Sequence, residues 1–148
     1  MSLWAATTSS DVSLSATTAK TVLGIKAPSN AVVYIRNAHV NFESVTASDA
    51  VALIELVTGA ADGTGTSETP VNYNRSHTAA SSFTAKSNYT VEPASLTVLK
   101  AWQYPVQGAV DIPLPLLVPI QTAAGGFVGI RVTTPQAQSC RISLDVED

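Results

Sequence analysis

Near the C-terminus Cys140, Ile142, Leu144 and Val146 alternate with Arg141, Ser143, Asp145 and Glu147. A period of two sends successive side chains to opposite faces of a strand, so one face here is apolar and the other polar. A helix cannot satisfy the pattern, because its same-face neighbours recur every three or four residues. Val128, Ile130 and Val132 repeat it against Gly129, Arg131 and Thr133. Between the two runs, Thr134-Pro135-Gln136-Ala137-Gln138 reads as a turn, since proline fixes its own φ and has no N–H to donate. The two runs are therefore expected to form an antiparallel hairpin, fed by a turn at Ala124-Gly125-Gly126.

Strand signals continue upstream. Lys20 to Ala27 holds Val22, Leu23 and Ile25 and ends at the turn cluster Pro28-Ser29-Asn30. From Ala31 to Glu43 the apolar residues start on both parities (Val32 to Ile35) and finish on the even one (Ala38, Val40, Phe42). That change predicts either a strand buried more deeply at one end or a bulge near Arg36. Val51 to Val57 is apolar on both faces except at Glu55, as in a central strand, although a helical period also fits. Thr58 to Phe83 dissolves into Gly, Ala, Ser, Thr and Asn and is expected to be one long loop, the kind of segment that carries function or packs on a partner. Thr84 to Glu92 and Leu96 to Tyr104 read as strands either side of Pro93-Ala94-Ser95, with a bend at Val106 to Val110. Asp111 to Ile120, interrupted by Pro113, Pro115 and Pro119, is expected at a sheet edge or along the surface, because each proline removes a ladder donor.

About eight short strands, frequent turn signals and no amphipathic helix predict an all-β fold, an antiparallel β-sandwich with a jelly-roll-like topology. At 148 residues one domain is expected. Its body is placed at residues 20–148, and residues 1–19, rich in Ser and Thr, are expected to be an extended arm.

The chemistry-bearing residues are few. Asp, Glu, Lys and Arg make up 13% of the chain, about half the usual share, and the net charge is −3. The eight basic residues are scattered, which argues against phosphate-backbone binding and hence against a nucleic-acid partner. One cysteine, Cys140, excludes an internal disulfide and is expected to be a buried thiol. No His and Cys share a metal-ligand spacing, no Gly-x-Ser-x-Gly elbow or phosphate-binding glycine loop occurs, and Asp62-Gly63-Thr64-Gly65 lacks the acidic positions of a calcium loop. The expectation is a non-enzyme without cofactor, metal or catalytic residues. The N-terminus has no basic, apolar leader, and no stretch is long and apolar enough for a helical span, so synthesis in a cytoplasm and no membrane partner are expected.

Trp102 and Tyr104, within a strand, are expected in the core or on a sheet face. Trp4, isolated near the terminus, is expected to anchor a neighbouring subunit. Tyr73, Arg75 and His77 in the long loop complete the candidate partner interface. Trp4, Tyr73 and Tyr104 also suggest a glycan-stacking alternative.

Several segments together resemble small virion proteins of tailed bacteriophages that decorate the capsid or serve as minor structural components. They are Lys26-Ala-Pro-Ser-Asn30, Gly63-Thr-Gly-Thr-Ser-Glu-Thr-Pro70, Lys86-Ser-Asn-Tyr-Thr-Val-Glu-Pro93, Leu99-Lys-Ala-Trp102, Pro105-Val-Gln-Gly108 and Ala123-Ala-Gly-Gly-Phe-Val-Gly-Ile-Arg-Val-Thr-Thr-Pro135. The likeness runs from about Lys20 to the C-terminus and leaves the N-terminal segment outside it. It implies a β-sandwich on the outer surface of a phage head, a partnership with the major capsid protein, and a homo-oligomer, preferentially a trimer. The alternative it leaves is a tail- or fibre-associated module that recognises host glycans.

Overall fold

The computed structural model describes residues 2–43, 50–74, 76, 78–106 and 109–148. Among these residues every regular element is a strand. The N-terminal strands are β1 (Leu3–Thr7), β2 (Val12–Leu14), β3 (Lys20–Lys26), β4 (Tyr34–Glu43) and β5 (Val51–Gly59). There follow β6 (Thr64–Glu68), β7 (Val71–Asn72) and β8 (Thr84–Val91). The chain ends with β9 (Thr97–Pro105), β10 (Ala109–Gln121), β11 (Phe127–Thr133) and β12 (Gln138–Glu147). The segment Val51–Gly59 is thus a strand and not a helix.

The strands form two antiparallel sheets packed face to face. Sheet 1 has the order β10-β4-β12-β1-β7, with β2 also on β12; sheet 2 has the order β6-β8-β3-β11-β5-β9. Their facing sides are closed by Phe42, Ile35, Ile142 and Leu144 from sheet 1 and by Leu23, Ile25, Ile54, Leu56 and Ile130 from sheet 2, all fully buried. The alternation of β12 places Cys140 in this layer, where burial pushes its thiol up to about 12 and leaves it protonated at neutral pH.

Four pairs nest inside one another along the sequence: β1 with β12, β3 with β11, β4 with β10, and β5 with β9. The remaining strands are additions to this frame. The long loop expected over Thr58 to Phe83 contains two of them. β6 extends sheet 2 beside β8, and β7 joins sheet 1 beside β1. β6 consists of Thr, Gly, Ser and Glu and β7 of Val71 and Asn72 alone, all exposed or half-buried, so no apolar alternation marked them as strands.

Two further expectations are corrected. β11 and β12 are not a hairpin; they lie in opposite sheets. β11 is flanked by β3 and β5, and β12 by β4 on one side and β1 and β2 on the other, so neither has a free edge for its sequence neighbour. Thr134, fully buried, anchors the crossing: it bridges Ala16 and its carbonyl accepts the Thr17 N–H at 2.7 Å. The N-terminal segment, for its part, is not an arm. β1 and β2 run along β12 as one interrupted strand, and Thr8 between them donates its N–H to the Ile142 carbonyl at 3.0 Å. Ala6, Val12 and Leu14 are buried in the core, which an arm could not supply.

The parity change in β4 is a bulge. Asn37 pairs with Asp145 and Ile35 with Val146, leaving Arg36 as the extra residue. The insertion lets Ile35 and Ala38 both face the core. Proline-rich β10 forms one edge of sheet 1, as its missing donors require. Gln107 and Gly108 of the expected bend lie outside the described residues.

A small second core sits on the outer face of sheet 2, where Phe127, Tyr89, Val57 and Leu96 pack together. The Tyr89 hydroxyl donates to Asp62 at 2.9 Å, and Lys86 pairs with the same carboxylate at 2.7 Å. Burial, then the Asp62 and Glu92 charges, hold the Tyr89 phenol far above the ordinary value of 10.0. The unfolded chain releases this proton near that ordinary value and the folded chain does not, so stability is complete below it and falls as pH rises beyond it. Thermal unfolding followed from about pH 9 to about pH 11.5 should show a steep loss in the parent protein and a shallower one in Tyr89→Phe. Parallel curves would show that Tyr89 does not govern alkaline unfolding.

Candidate functional site

The polar parity of three adjacent strands builds the outer face of sheet 1. Asn37, His39 and Asn41 project from β4, Asp145, Ser143 and Arg141 from β12, and Ala5 and Thr7 from β1. Register sets them in rows: Asn37–Asp145–Ala5, His39–Ser143–Thr7, and Asn41–Arg141. Opposed residues in such rows lie about 4.5–5.5 Å apart at Cβ, so the side chains form one continuous surface. Short side chains in the middle, ringed by longer ones, leave a depression of ≈ 400 Å³. Tyr73, just beyond β7, closes one side.

The surface is rich in fixed hydrogen-bonding groups. The Thr7 and Ser143 hydroxyls bond at 2.9 Å, and the Asn37 amide meets the His39 ring at 2.8 Å. Arg141 donates to Asp11, and this bond holds the Asp11 carboxyl below its usual range. Tyr73 donates its hydroxyl to Asp145 at 2.6 Å and its N–H to the Leu3 carbonyl at 3.0 Å, which fixes a ring whose residue stays 58% exposed. The hydrogen bond to Asp145, together with partial burial, pushes the Tyr73 phenol up to about 12. The Asn41 Oδ1 is buried and has no hydrogen-bond partner among the described residues.

Of the interface residues expected from sequence, Tyr73 alone is placed at this surface. Arg75 and His77 lie outside the described residues. Trp4 is corrected: it is 4% exposed, stands edge-on to Phe83 at 6.3 Å, and donates its Nε1–H to the Asp148 carboxylate at 2.9 Å. Its partners come from this chain, so it offers no face to a neighbour. Trp102 and Tyr104 are half-buried against the main core from β9 on the other sheet, as expected of strand aromatics. Sequence reasoning did not group His39 with Asn41, Arg141 or Asp145. Their shared polar parity was the available signal; the β4–β12 register joins them.

Beside the histidine, the Ser143 hydroxyl bonds Thr7, and the His39 ring meets the Asn37 amide. Among the described residues no three His, Cys, Asp or Glu side chains converge as a metal site would need.

A second surface lies at the far edge of sheet 2. Among the described residues β9 pairs with β5 on one side only, and nearly all its residues are exposed. Val98 and Leu99 are 42% and 47% exposed, and Leu99 is the extra residue of a bulge opposite Leu56 and Val57. Val51, opposite Pro105, adds an exposed aliphatic group near the other end. The other edges are defended: β10 carries prolines, β7 is two residues long, and β6 is short and polar.

No protein-family model matches the chain, and no curated protein is significantly similar to it.

Proposed function

We propose that this chain is a structural component of a tailed-phage virion, a decoration module that binds the outer surface of the head and stabilises it by bridging subunits of the major capsid protein. It is made in the host cytoplasm, ends on the capsid surface, and acts by contact without turning over a substrate. The observation that carries this reading is the β9 edge. A nine-residue strand with open backbone groups and exposed Val98 and Leu99 is a liability in a free monomer and an asset in an assembly. The sequence resemblance described above supports the same reading, and so does the nested strand pairing, which we read as jelly-roll-like, an architecture used by viral capsid domains.

Full burial of one aliphatic side chain contributes about 1.5–3 kcal/mol, so two such residues give weak binding per copy. A repeating shell multiplies it: linked sites bind far more tightly than any one of them. Oligomerisation, with a trimer at threefold positions, would raise the effect further. Purified protein mixed with undecorated capsids should bind saturably and in proportion to lattice sites. Leu99→Lys, a surface change that spares the core, should lower occupancy at least tenfold. Failure to bind capsids, or absence of the protein from purified virions, would defeat the reading.

A further inference from the structure

We infer that the outer face of sheet 1 is a binding site for neutral oligosaccharide. The inference is independent of capsid attachment, since it concerns the opposite sheet and needs only the folded chain.

Three observations lead there. The depression is open along the strands and of a size typical of small-ligand sites, ≈ 400 Å³. Its lining residues offer donors and acceptors together, as a polyhydroxyl ligand requires: the Thr7 and Ser143 hydroxyls, the His39 ring and the Asn41 side chain. Tyr73 stands at the rim as an exposed ring held at two points, its hydroxyl on Asp145 and its N–H on Leu3. A fixed aromatic face costs little entropy to use and suits the C–H face of a pyranose, while the sugar's edge hydroxyls reach the polar floor.

Charge favours a neutral ligand over an anionic one. Among the described residues Arg141 is the one guanidinium lining the depression and pairs through Nε with Asp11, while Asp145 lines the same floor and accepts the Tyr73 hydroxyl. An anion would face two carboxylates against one guanidinium. A neutral sugar carries no charge to be repelled, and its hydroxyls can use the remaining Arg141 N–H groups and the second Asp145 oxygen.

The test is an array of neutral, sialylated and sulfated glycans, followed by titration of the strongest neutral hit into isotope-labelled protein. Saturable binding to a neutral oligosaccharide is expected, with amide shifts confined to β1, β4, β12 and the Tyr73 segment. Affinity should change less than twofold between about 0.05 and about 0.5 M salt. Tyr73→Ala should weaken it at least tenfold, and Ala5→Trp, which fills the depression, should abolish it. Tyr104→Ala on the other sheet should leave it unchanged. Binding to no neutral glycan, binding only to anionic ones, or binding that survives both Tyr73→Ala and Ala5→Trp would overturn the inference. A chain that decorates capsids yet binds no neutral glycan fails here alone; one that binds glycan and no capsid fails only the assembly reading.

Discussion

Trp4→Ala is expected to remove about 3–5 kcal/mol of folding stability, the usual cost of emptying an aromatic site in a core. Trp4 has 4% of its surface exposed and packs edge-on against Phe83. Its strand lies inside sheet 1, between β12 and β7. The substitution also takes a donor from Asp148, whose carboxylate is desolvated by burial yet held below its usual range by hydrogen bonds from Ser82 and Trp4. Against a total of about 5–15 kcal/mol for a domain, the loss leaves a marginal fold. Urea denaturation gives the measurement, and Trp4→Phe, which keeps the ring contact, should lose distinctly less. A midpoint unchanged in Trp4→Ala would mean that the N-terminal segment is an independent arm after all. The same comparison bears on the interface: an anchor for a neighbour would weaken assembly without weakening the monomer.

Gly24→Val should destabilise the protein by about 3 kcal/mol or more, at the upper end for overpacking. A Cβ on Gly24 would sit 2.4 Å and 2.5 Å from two ring atoms of Phe127 and 2.6 Å from the Tyr89 hydroxyl oxygen. Phe127 has nowhere to go. It lies over the cross-strand pair Gly24–Gly129, and a Cβ on Gly129 would be only 2.8 Å from the same ring. Tyr89 meets it edge-on at 6.0 Å. The two glycines are thus the floor of an aromatic seat. If the clash is the cause, shrinking the ring should relieve it. In a double-mutant cycle, Gly24→Ala combined with Phe127→Leu should be less destabilised than the sum of the single changes by about 1 kcal/mol or more. Strict additivity would place the cost of Gly24→Ala in the backbone and not in the seat.

Both effects arise where the fold was least visible beforehand. The bulge at Arg36 could be read from a parity change because a bulge alters which residues are apolar within one strand. The edge position of β10 could be read from its prolines, since a missing donor is a local property. β1 escaped notice because Leu3-Trp4-Ala5-Ala6 is too short to establish a period. The aromatic seat escaped because Phe127 and Gly24 belong to strands a hundred residues apart in the chain, and neither residue alone announces the other. The outer-face depression was half legible. Its polar parity was plain on β12, and Tyr73 stood out as a loop aromatic, but Asn41 and His39 join Arg141 and Ser143 only through pairing between β4 and β12.

The sequence alone determined that this chain builds two-faced strands, which side of β11 and β12 is apolar, and that Cys140 belongs inside. Those are consequences of a period of two and of the preference of aliphatic groups for leaving water. Tertiary structure decided which strand lies beside which: that β11 and β12 part into opposite sheets, that β1 fills the slot beside β12, and that polar residues from three strands meet at one surface. Alternation marks the face a residue turns to the core and is silent about the strand at its flank, because the backbone groups that join strands are the same at every position.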